Sequence, residues 1–375
     1  MVSNKNGGGN LAEIKDVELK YVLSDLKAPF KTALREISVI ESIYVFVHTD
    51  DGLVGVGEAV PTPVITGDTV EGIVAAIKLM SKKLMGQTLS PLLLQVIQQS
   101  LVGNSSAKAA LDMAIYDLLA KEKEVPLYVY LNSTYSSLET SHTVSLNQVE
   151  TMVSDAKQYI EMGFKALKVK LGNDITLDQS RILSIHQTVP NALLSIDANQ
   201  GWNEDETKMM IAFLKDKNIH IDVLEQPVFR KEYDAMHRLN KQSDIPIMAD
   251  ESLFDPYDAK RLSQQGIHFF NIKLMKSGGI FPGLWIAKIA LENGGKCMVG
   301  SMMETHVSLT AAYHFACAIG AYKVDFDAPF MLKEKRIAGG IQYDMNQVYL
   351  ENKDAYGLGI DVMKLKELCA DAKSL

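Results

Sequence analysis

A chain of 375 residues with a formal net charge of -8 is too long for one hydrophobic core and is expected to form two domains. The acidic balance argues against a nucleic-acid partner, which needs a basic face. The hydrophobic content of 47% fits a globular protein, and no apolar run is long enough to span a membrane.

The first ten residues, MVSNKNGGGN, have no apolar core and read as a disordered leader over 1–10 rather than a signal peptide. Cys297, Cys317 and Cys369 form no CxxC pair or framework and read as buried thiols. Both features point to the cytoplasm.

Residues 11–27 alternate weakly, as a strand does. Residues 38–49 and 53–60 read as a hairpin turned at Asp50-Asp51-Gly52. Turn formers make 28–35 and 61–68 loops. Asp68 is placed to cap a helix running to about Met85, and a second helix covers about 90–101. Behind an Asn104/Ser105 cap, Ala107, Ala110, Leu111, Ala114, Ile115, Leu118 and Leu119 recur at helical spacing. Residues 1–125 are therefore expected to be an α+β domain, a three-stranded sheet with a helical bundle.

A different rhythm follows. Short apolar runs end in polar residues at 142–146, 166–171, 193–197, 221–225, 245–250, 269–273, 297–301 and 324–327. They recur about every 25 residues, as a repeated supersecondary unit does. Between them lie amphipathic segments of helix length, such as 149–162, 176–187, 204–216, 256–265 and 281–293. Strand and helix alternating in this way predict a parallel barrel over 126–330, with its chemistry at the carboxyl ends of the strands. The segment 331–375 has glycine clusters and short strand-like pieces, and is expected to return to the first domain.

Lys168 and Lys170 share one face of the run 166–171. Desolvation and like charge make such a pair costly unless acids lie close by. Asp197, Glu225 and Asp250 end three consecutive runs. Neighbouring strands are about 4.8 Å apart, so these carboxylates can converge. They repel unless a cation joins them, and all-oxygen ligation suits one Mg²⁺ per chain, with Mn²⁺ as the alternative. Lys273 ends the next run. Lysines on both sides of a metal-bound substrate suit proton transfer on either face, and a desolvated, cation-crowded lysine is expected to have a lowered pKa. The metal would stabilise the enediolate formed when a proton leaves the carbon next to a carboxylate.

The set Lys168-x-Lys170, Asp197-Ala-Asn, Glu225-Gln-Pro, Asp250-Glu251-Ser and Lys273 resembles the muconate-lactonizing subgroup of the enolase superfamily. The resemblance extends over nearly the whole chain, including GNSSAKAALDMAIYDLLAK. It implies an α/β fold, a modified (β/α)7β TIM-type barrel with an N-terminal capping domain completed by the C-terminal tail. It also implies Mg²⁺ on Asp197, Glu225 and Asp250, acid/base roles for Lys170 and Lys273, and an electrostatic role for Lys168. Asn199 and Glu251 are expected to orient the ligands.

Alternation places Asp325 and Asp327 on one face of the last strand. With a metal already on the substrate carboxylate, this second anionic pair asks for an ammonium group. The pattern resembles the dipeptide epimerases, whose DxD motif holds the dipeptide's amine. The stretches 29–35 and 62–68 are similar to those of L-Ala-D/L-Glu epimerases. That resemblance implies that Arg35 binds a glutamate side chain and that Thr66 lies at the substrate. Met298 and the stretch Ser301-Met302-Met303-Glu304 are expected to line the same site.

The resemblance implies epimerisation of a dipeptide at its C-terminal residue by two-base 1,1-proton transfer, in a homo-oligomer, with L-Ala-L-Glu and L-Ala-D-Glu from cell-wall peptide recycling as the leading substrates and a broad range of dipeptides as the alternative. The runner-up is a lyase such as o-succinylbenzoate synthase or a muconate cycloisomerase, whose polyanionic substrates carry no amine for Asp325 and Asp327. Further alternatives are a Schiff-base aldolase using Lys170 or Lys273 and a non-catalytic metal- or peptide-binding barrel. His48, His142, His186, His306 and His314 have no metal-like spacing and read as structural.

Overall fold

The computed structural model describes residues 12–334 and 338–375. The expected leader over 1–10 lies outside them. The chain opens with a long hairpin, β1 (Ile14–Lys31) and β2 (Glu36–Thr49), followed by β3 (Val54–Ala59). β1 and β2 pair antiparallel as far as Lys31 and Glu36. The loop expected over 28–35 is therefore only a four-residue tip, 32–35. The register breaks between Asp25 and Phe30, and that irregularity accommodates Pro29, which has no N–H to give the ladder.

Three helices cover this sheet: α1 (Val70–Leu84), α2 (Leu92–Ser100) and α3 (Ser105–Glu122). Thr69, not Asp68, caps α1, its Oγ1 accepting from Gly72 N. Asp68 reaches instead to α3 and accepts from Ser106 N at 3.0 Å. Asn104, at the expected cap position, sits in the left-handed region and turns its amide to the Val102 carbonyl, so the cap arrives from elsewhere in the chain. α3 is buried from Ser106 to Ala120. Gly55 and Gly57 of β3 rest on it, and a Cβ at either would collide with the carbonyls of Ala114 and Ala110.

After α4 (Leu127–Tyr130) and β4 (Leu138–Glu139) the barrel begins. Its strands are β5 (His142–Val144), β6 (Ala166–Lys170), β7 (Leu193–Asp197), β8 (Ile221–Glu225), β9 (Ile247–Ala249), β10 (Phe269–Ile272), β11 (Lys296–Val299) and β12 (Lys323–Val324). They lie side by side in chain order, all parallel. The crossovers are α5 (Val149–Glu161), α6 (Ile175–Thr188), α7 (Glu204–Asp216), α8 (Tyr233–Gln242), α9 (Pro256–Gln264), the pair α10 (Leu274–Ser277) and α11 (Ile280–Glu292), and α12 (His306–Ile319). A bridge between Thr140 and Val324 joins the first strand to the last, and Thr140 Oγ1 accepts from Phe326 N at 2.9 Å. Eight strands with seven crossovers make the (β/α)7β barrel.

The cap is bound to the barrel through buried carboxylates. α11 opens behind Gly279, which has no side chain for capping. Asp112 of α3 supplies the acceptor, taking Ile280 N at 2.6 Å. α12 opens at Thr305 without a side-chain cap of its own. Glu58 of β3 accepts from Thr305 N, Thr305 Oγ1 and Ser308 N at 2.8–3.0 Å, and from Ser42 Oγ at 2.7 Å. A carboxylate at a helix N-terminus satisfies orphan N–H groups and opposes the helix dipole. Here each such bond also crosses from cap to barrel.

The C-terminal segment forms α13 (Ala328–Met331), β13 (Ile341–Asp344), β14 (Gln347–Leu350), α14 (Val362–Leu368) and β15 (Lys373–Ser374). β14 pairs with β4, and β15 pairs with β1 at Lys20 and Tyr21. The cap sheet therefore has four strands, the outermost supplied by the end of the chain.

His314 is fully buried on α12. Its Nδ1 accepts from Tyr128 N at 3.1 Å and its Nε2 faces the Leu358 carbonyl at 3.4 Å. Burial pushes its pKa down to about 4, and burial does the same to His142. An unfolded histidine titrates near about 6.5, so between these values the unfolded chain takes up protons that the native state refuses. Stability held above that window is lost as pH falls through it. Urea midpoints measured from pH 7 to pH 4 should fall accordingly, and His314→Gln should flatten the slope. Glu58→Ala leaves several buried donors without an acceptor, and should cost about 3 kcal/mol in the same urea titrations at neutral pH.

Candidate active site

Parallel register aligns the polar strand ends. Lys170 pairs with Asp197, and Asp197 pairs with Glu225. Asp250 follows β9, Lys273 follows β10 and Asp325 follows β12. Asp197, Glu225 and Asp250 are all buried, and one oxygen from each lies within 4.8 Å of the others.

Ammonium groups surround these acids. Lys168 Nζ lies 3.0 Å from Asp197 Oδ2, 2.9 Å from Glu225 Oε2 and 3.1 Å from Asp325 Oδ2. Lys170 Nζ is 2.6 Å from Asp197 Oδ2, and Lys273 Nζ is 2.9 Å from Asp250 Oδ2. β6 and β10 stand four strands apart in a ring of eight. Lys170 and Lys273 thus face each other across the barrel mouth. Lys276 donates to Asp250 Oδ1 and to the Asp250 carbonyl. Asn271 donates to Glu225 Oε1 at 2.8 Å. Asn199 donates its backbone N–H to Asp197 Oδ1 and its amide to Glu251 Oε1.

Charge competition sets the protonation of the cluster. Burial pushes Asp197 and Asp250 up, but the neighbouring lysines overrule it and hold both below the usual carboxylate range. Burial and the Asp197 charge push Glu225 up to about 8. Burial and Asp250 push Glu251 to about 7. Burial alone would lower Lys168 and Lys273, yet the carboxylates around them hold both above the ordinary lysine range. For Lys168 and Lys273 this is the opposite of the lowered pKa expected, because the surrounding carboxylate charges outweigh burial and the neighbouring ammonium groups. Lys276 alone of these is depressed, by burial. Asp197, Glu225 and Asp250 converge as an all-oxygen donor set, and the upward push on Glu225 shows that the lysines do not relieve their repulsion fully, which is the shortfall left to a cation. A hard divalent cation fits that donor set and that shortfall.

The cavity above the cluster is walled from the cap by Phe30, Thr32, Leu34, Arg35 and Ile65. Thr143, Lys168, Lys170, Asn199 and Lys273 wall it from the barrel, with Ser301, Met302, Met303, Asp325 and Asp327. Asp325 Oδ1 is buried without a hydrogen-bond partner. Burial lifts Asp325, but Lys168 and Lys170 hold it below its usual range. Burial and the Asp325 charge push Asp327 to about 7, and its Oδ2 accepts from Thr143 N at 2.6 Å. Arg35 is half-buried, and among the described residues no carboxylate pairs with it. Burial pushes it down to about 10.

The tip 32–35 docks through Ala33. Gly172 and Gly201 form the floor beneath it, and a Cβ on them would lie 2.8 and 3.1 Å from the Ala33 methyl. Asn173 Nδ2 donates to the Ala33 carbonyl at 3.2 Å.

Two expected site residues lie elsewhere. Thr66 bonds back to the Thr62 carbonyl and lines a neighbouring cavity, while Ile65 takes its place at this one. Met298 packs with Val223 and Met248 inside the barrel and is absent from the cavity wall. Lys276 and Asn271 escaped the sequence reading. The signal for Lys276 was its position one turn after Lys273, which puts a second ammonium beside the same carboxylate.

Residues 15–131 match the mandelate racemase / muconate lactonizing enzyme N-terminal domain, and residues 151–366 match the enolase C-terminal domain-like family. The L-Ala-D/L-Glu epimerase of Bacillus subtilis (strain 168) is 42% identical over 351 residues, covering 92% of this chain and 95% of that protein. The hydrophobic dipeptide epimerase of Enterococcus faecalis is 35% identical, with 93% and 99% covered. The substrate-liganded structure of the Bacillus subtilis enzyme superposes with a TM-score of 0.90 at 41% identity, covering 93% of this chain and 98% of that one. The Cytophaga hutchinsonii dipeptide epimerase, complexed with Mg and D-Ala-L-Val, superposes at 0.91 with 31% identity, covering 97% and 99%. With both domains matched in this order, the chain belongs to the mandelate racemase / muconate lactonizing enzyme family of the enolase superfamily.

Proposed function

We propose that this protein is a magnesium-dependent dipeptide epimerase that inverts the α-carbon of the C-terminal residue, with L-Ala-L-Glu and L-Ala-D-Glu as its substrate pair. The observation that carries the reading is the placement of Lys170 and Lys273 on opposite sides of one cavity, above three converging carboxylates. Inversion at carbon needs a proton removed from one face and returned to the other, and two lysines across the mouth meet that need.

Asp197, Glu225 and Asp250 would hold the metal, which supplies positive charge at the substrate carboxylate and so acidifies the adjacent C–H. A metal on these carboxylates would take up the negative charge that holds Lys273 above its ordinary range, so that one of Lys170 and Lys273 takes the proton as a neutral amine while the other gives one as an ammonium. Lys168 offsets the acids beside it. Asn199 and Glu251 fix the carboxylates from behind.

Specificity comes from the far wall. The free oxygen of Asp325 and the neighbouring Asp327 suit the dipeptide's ammonium group. Arg35, desolvated and without an acid partner, suits the glutamate side chain, because a guanidinium fork matches a carboxylate. Thr32, Leu34 and Arg35 of the tip narrow the cavity to about 50 Å³, so they would meet the substrate's side chains directly. The glutamate epimer pair points to cell-wall peptides as the source. Three free, buried cysteines suit a reducing compartment, and no helix among the described residues is long and apolar enough to cross a membrane.

In deuterated water with Mg²⁺, the second residue's α-proton in L-Ala-L-Glu should disappear from the proton NMR spectrum, and chelator should stop the loss. Exchange that continues in chelator would sink the metal-dependent reading. Lys170→Met and Lys273→Met should each lower epimerisation by about 10³-fold or more, while Mg²⁺ still raises the melting temperature. Glu225→Gln should remove that Mg²⁺-induced rise. Arg35→Met should raise KM for L-Ala-L-Glu by about tenfold or more and leave L-Ala-L-Ala unaffected.

A further inference from the structure

The seam between cap and barrel holds a second cavity, behind the carboxylate centre. Its volume is about 410 Å³, within the range that takes small organic ligands. Ser105 and Lys108 of α3 form its cap wall; Phe254, Tyr257, Phe281 and Trp285 form its barrel wall.

Lys108 is the polar residue that the fold leaves unsatisfied there. It is 9% exposed, and among the described residues its ammonium forms no hydrogen bond or ion pair. Burial pushes its pKa down, with Asp68 as the nearby counter-charge. That carboxylate is engaged on Ser106 N. Asp255, at the rim, is engaged on the first N–H groups of α9. An ammonium that opens onto a cavity without a protein partner is stabilised there by an anion. Ser105 opens the 18-residue helix α3, whose positive end adds to the same field.

The barrel wall offers apolar area. Tyr257 is 84% exposed and Trp285 51% exposed, so the core does not account for either ring. An anion alone would leave these rings wet, and an apolar molecule alone would leave Lys108 unpaired.

We propose that this cavity is a second ligand site, taking a small organic monocarboxylate with an aromatic or branched apolar body. The carboxylate sits on Lys108, and the body lies against Phe254, Tyr257 and Trp285. Thr66, expected at the substrate, lines this cavity instead, as does Lys276, which holds Asp250. The two sites thus share a wall.

The test titrates the Mg²⁺-loaded full-length protein with 3-phenylpropionate by calorimetry, beside acetate and the neutral 3-phenylpropionamide. Trp285 reports location by its emission, because the chain's other tryptophan, Trp202, is buried and bonded to Asp178. Saturable binding of 3-phenylpropionate with a change in Trp285 emission is expected, with acetate and the amide each about tenfold weaker. Lys108→Gln should abolish that preference for the anion while leaving dipeptide exchange intact, and Lys108→Arg should restore it. Arg35→Met should leave it unchanged, which separates this cavity from the carboxylate centre. No saturation below about 10 mM, equal binding of acetate or amide, full binding in Lys108→Gln, or loss in Arg35→Met would each overturn the proposal.

Discussion

The Lys168 ammonium group holds the centre of this molecule together. It touches acids delivered by β7, β8 and the end of β12. Three buried carboxylates at such spacing would repel strongly in a medium that screens poorly. One of its partners, Asp325, arrives on the last strand, whereas Lys168 sits on the second. The contact therefore exists only when the barrel is closed at Thr140 and Val324. Ring closure and charge neutralisation depend on each other.

Buried acids also join the two domains. Asp112 and Glu58 belong to the cap but complete helices of the barrel. Glu58 acts one residue beyond Glu304, in the segment whose Met302 and Met303 line the cavity. This wall of the cavity is thus held by the domain opposite. A cavity whose sides come from both domains requires that relation to be fixed.

Much of this was legible in the sequence because strand alternation is a strict rule. Lys168 with Lys170 and Asp325 with Asp327 had to share faces, and equal spacing of the runs had to bring their ends to one rim. The failures lie where local pattern and tertiary contact compete. Pro29 reads as a loop former, yet a register break absorbs it. Asp68 stands one residue before the α1 cap but is drawn to α3. Ile65 faces the cavity and Thr66 does not, because a turn at 62–66 has no period to count. The pKa values of Lys168 and Lys273 went the other way because their sign rests on distances to acids from several different strands, which no one-dimensional pattern contains.

The glycine floor under Ala33 has a consequence for how such an enzyme changes its diet. Gly172 and Gly201 leave room for a methyl group and little more, so position 33 works as a fixed pivot. Thr32, Leu34 and Arg35 project from that pivot into the cavity from the cap side, whereas Lys170 and Lys273 enter it from the barrel. Diversity introduced at 32, 34 and 35, with 33 kept small, samples new side-chain preferences while the chemistry stays constant. Selectivity and catalysis are then separable units of inheritance, divided by the width of a single methyl group.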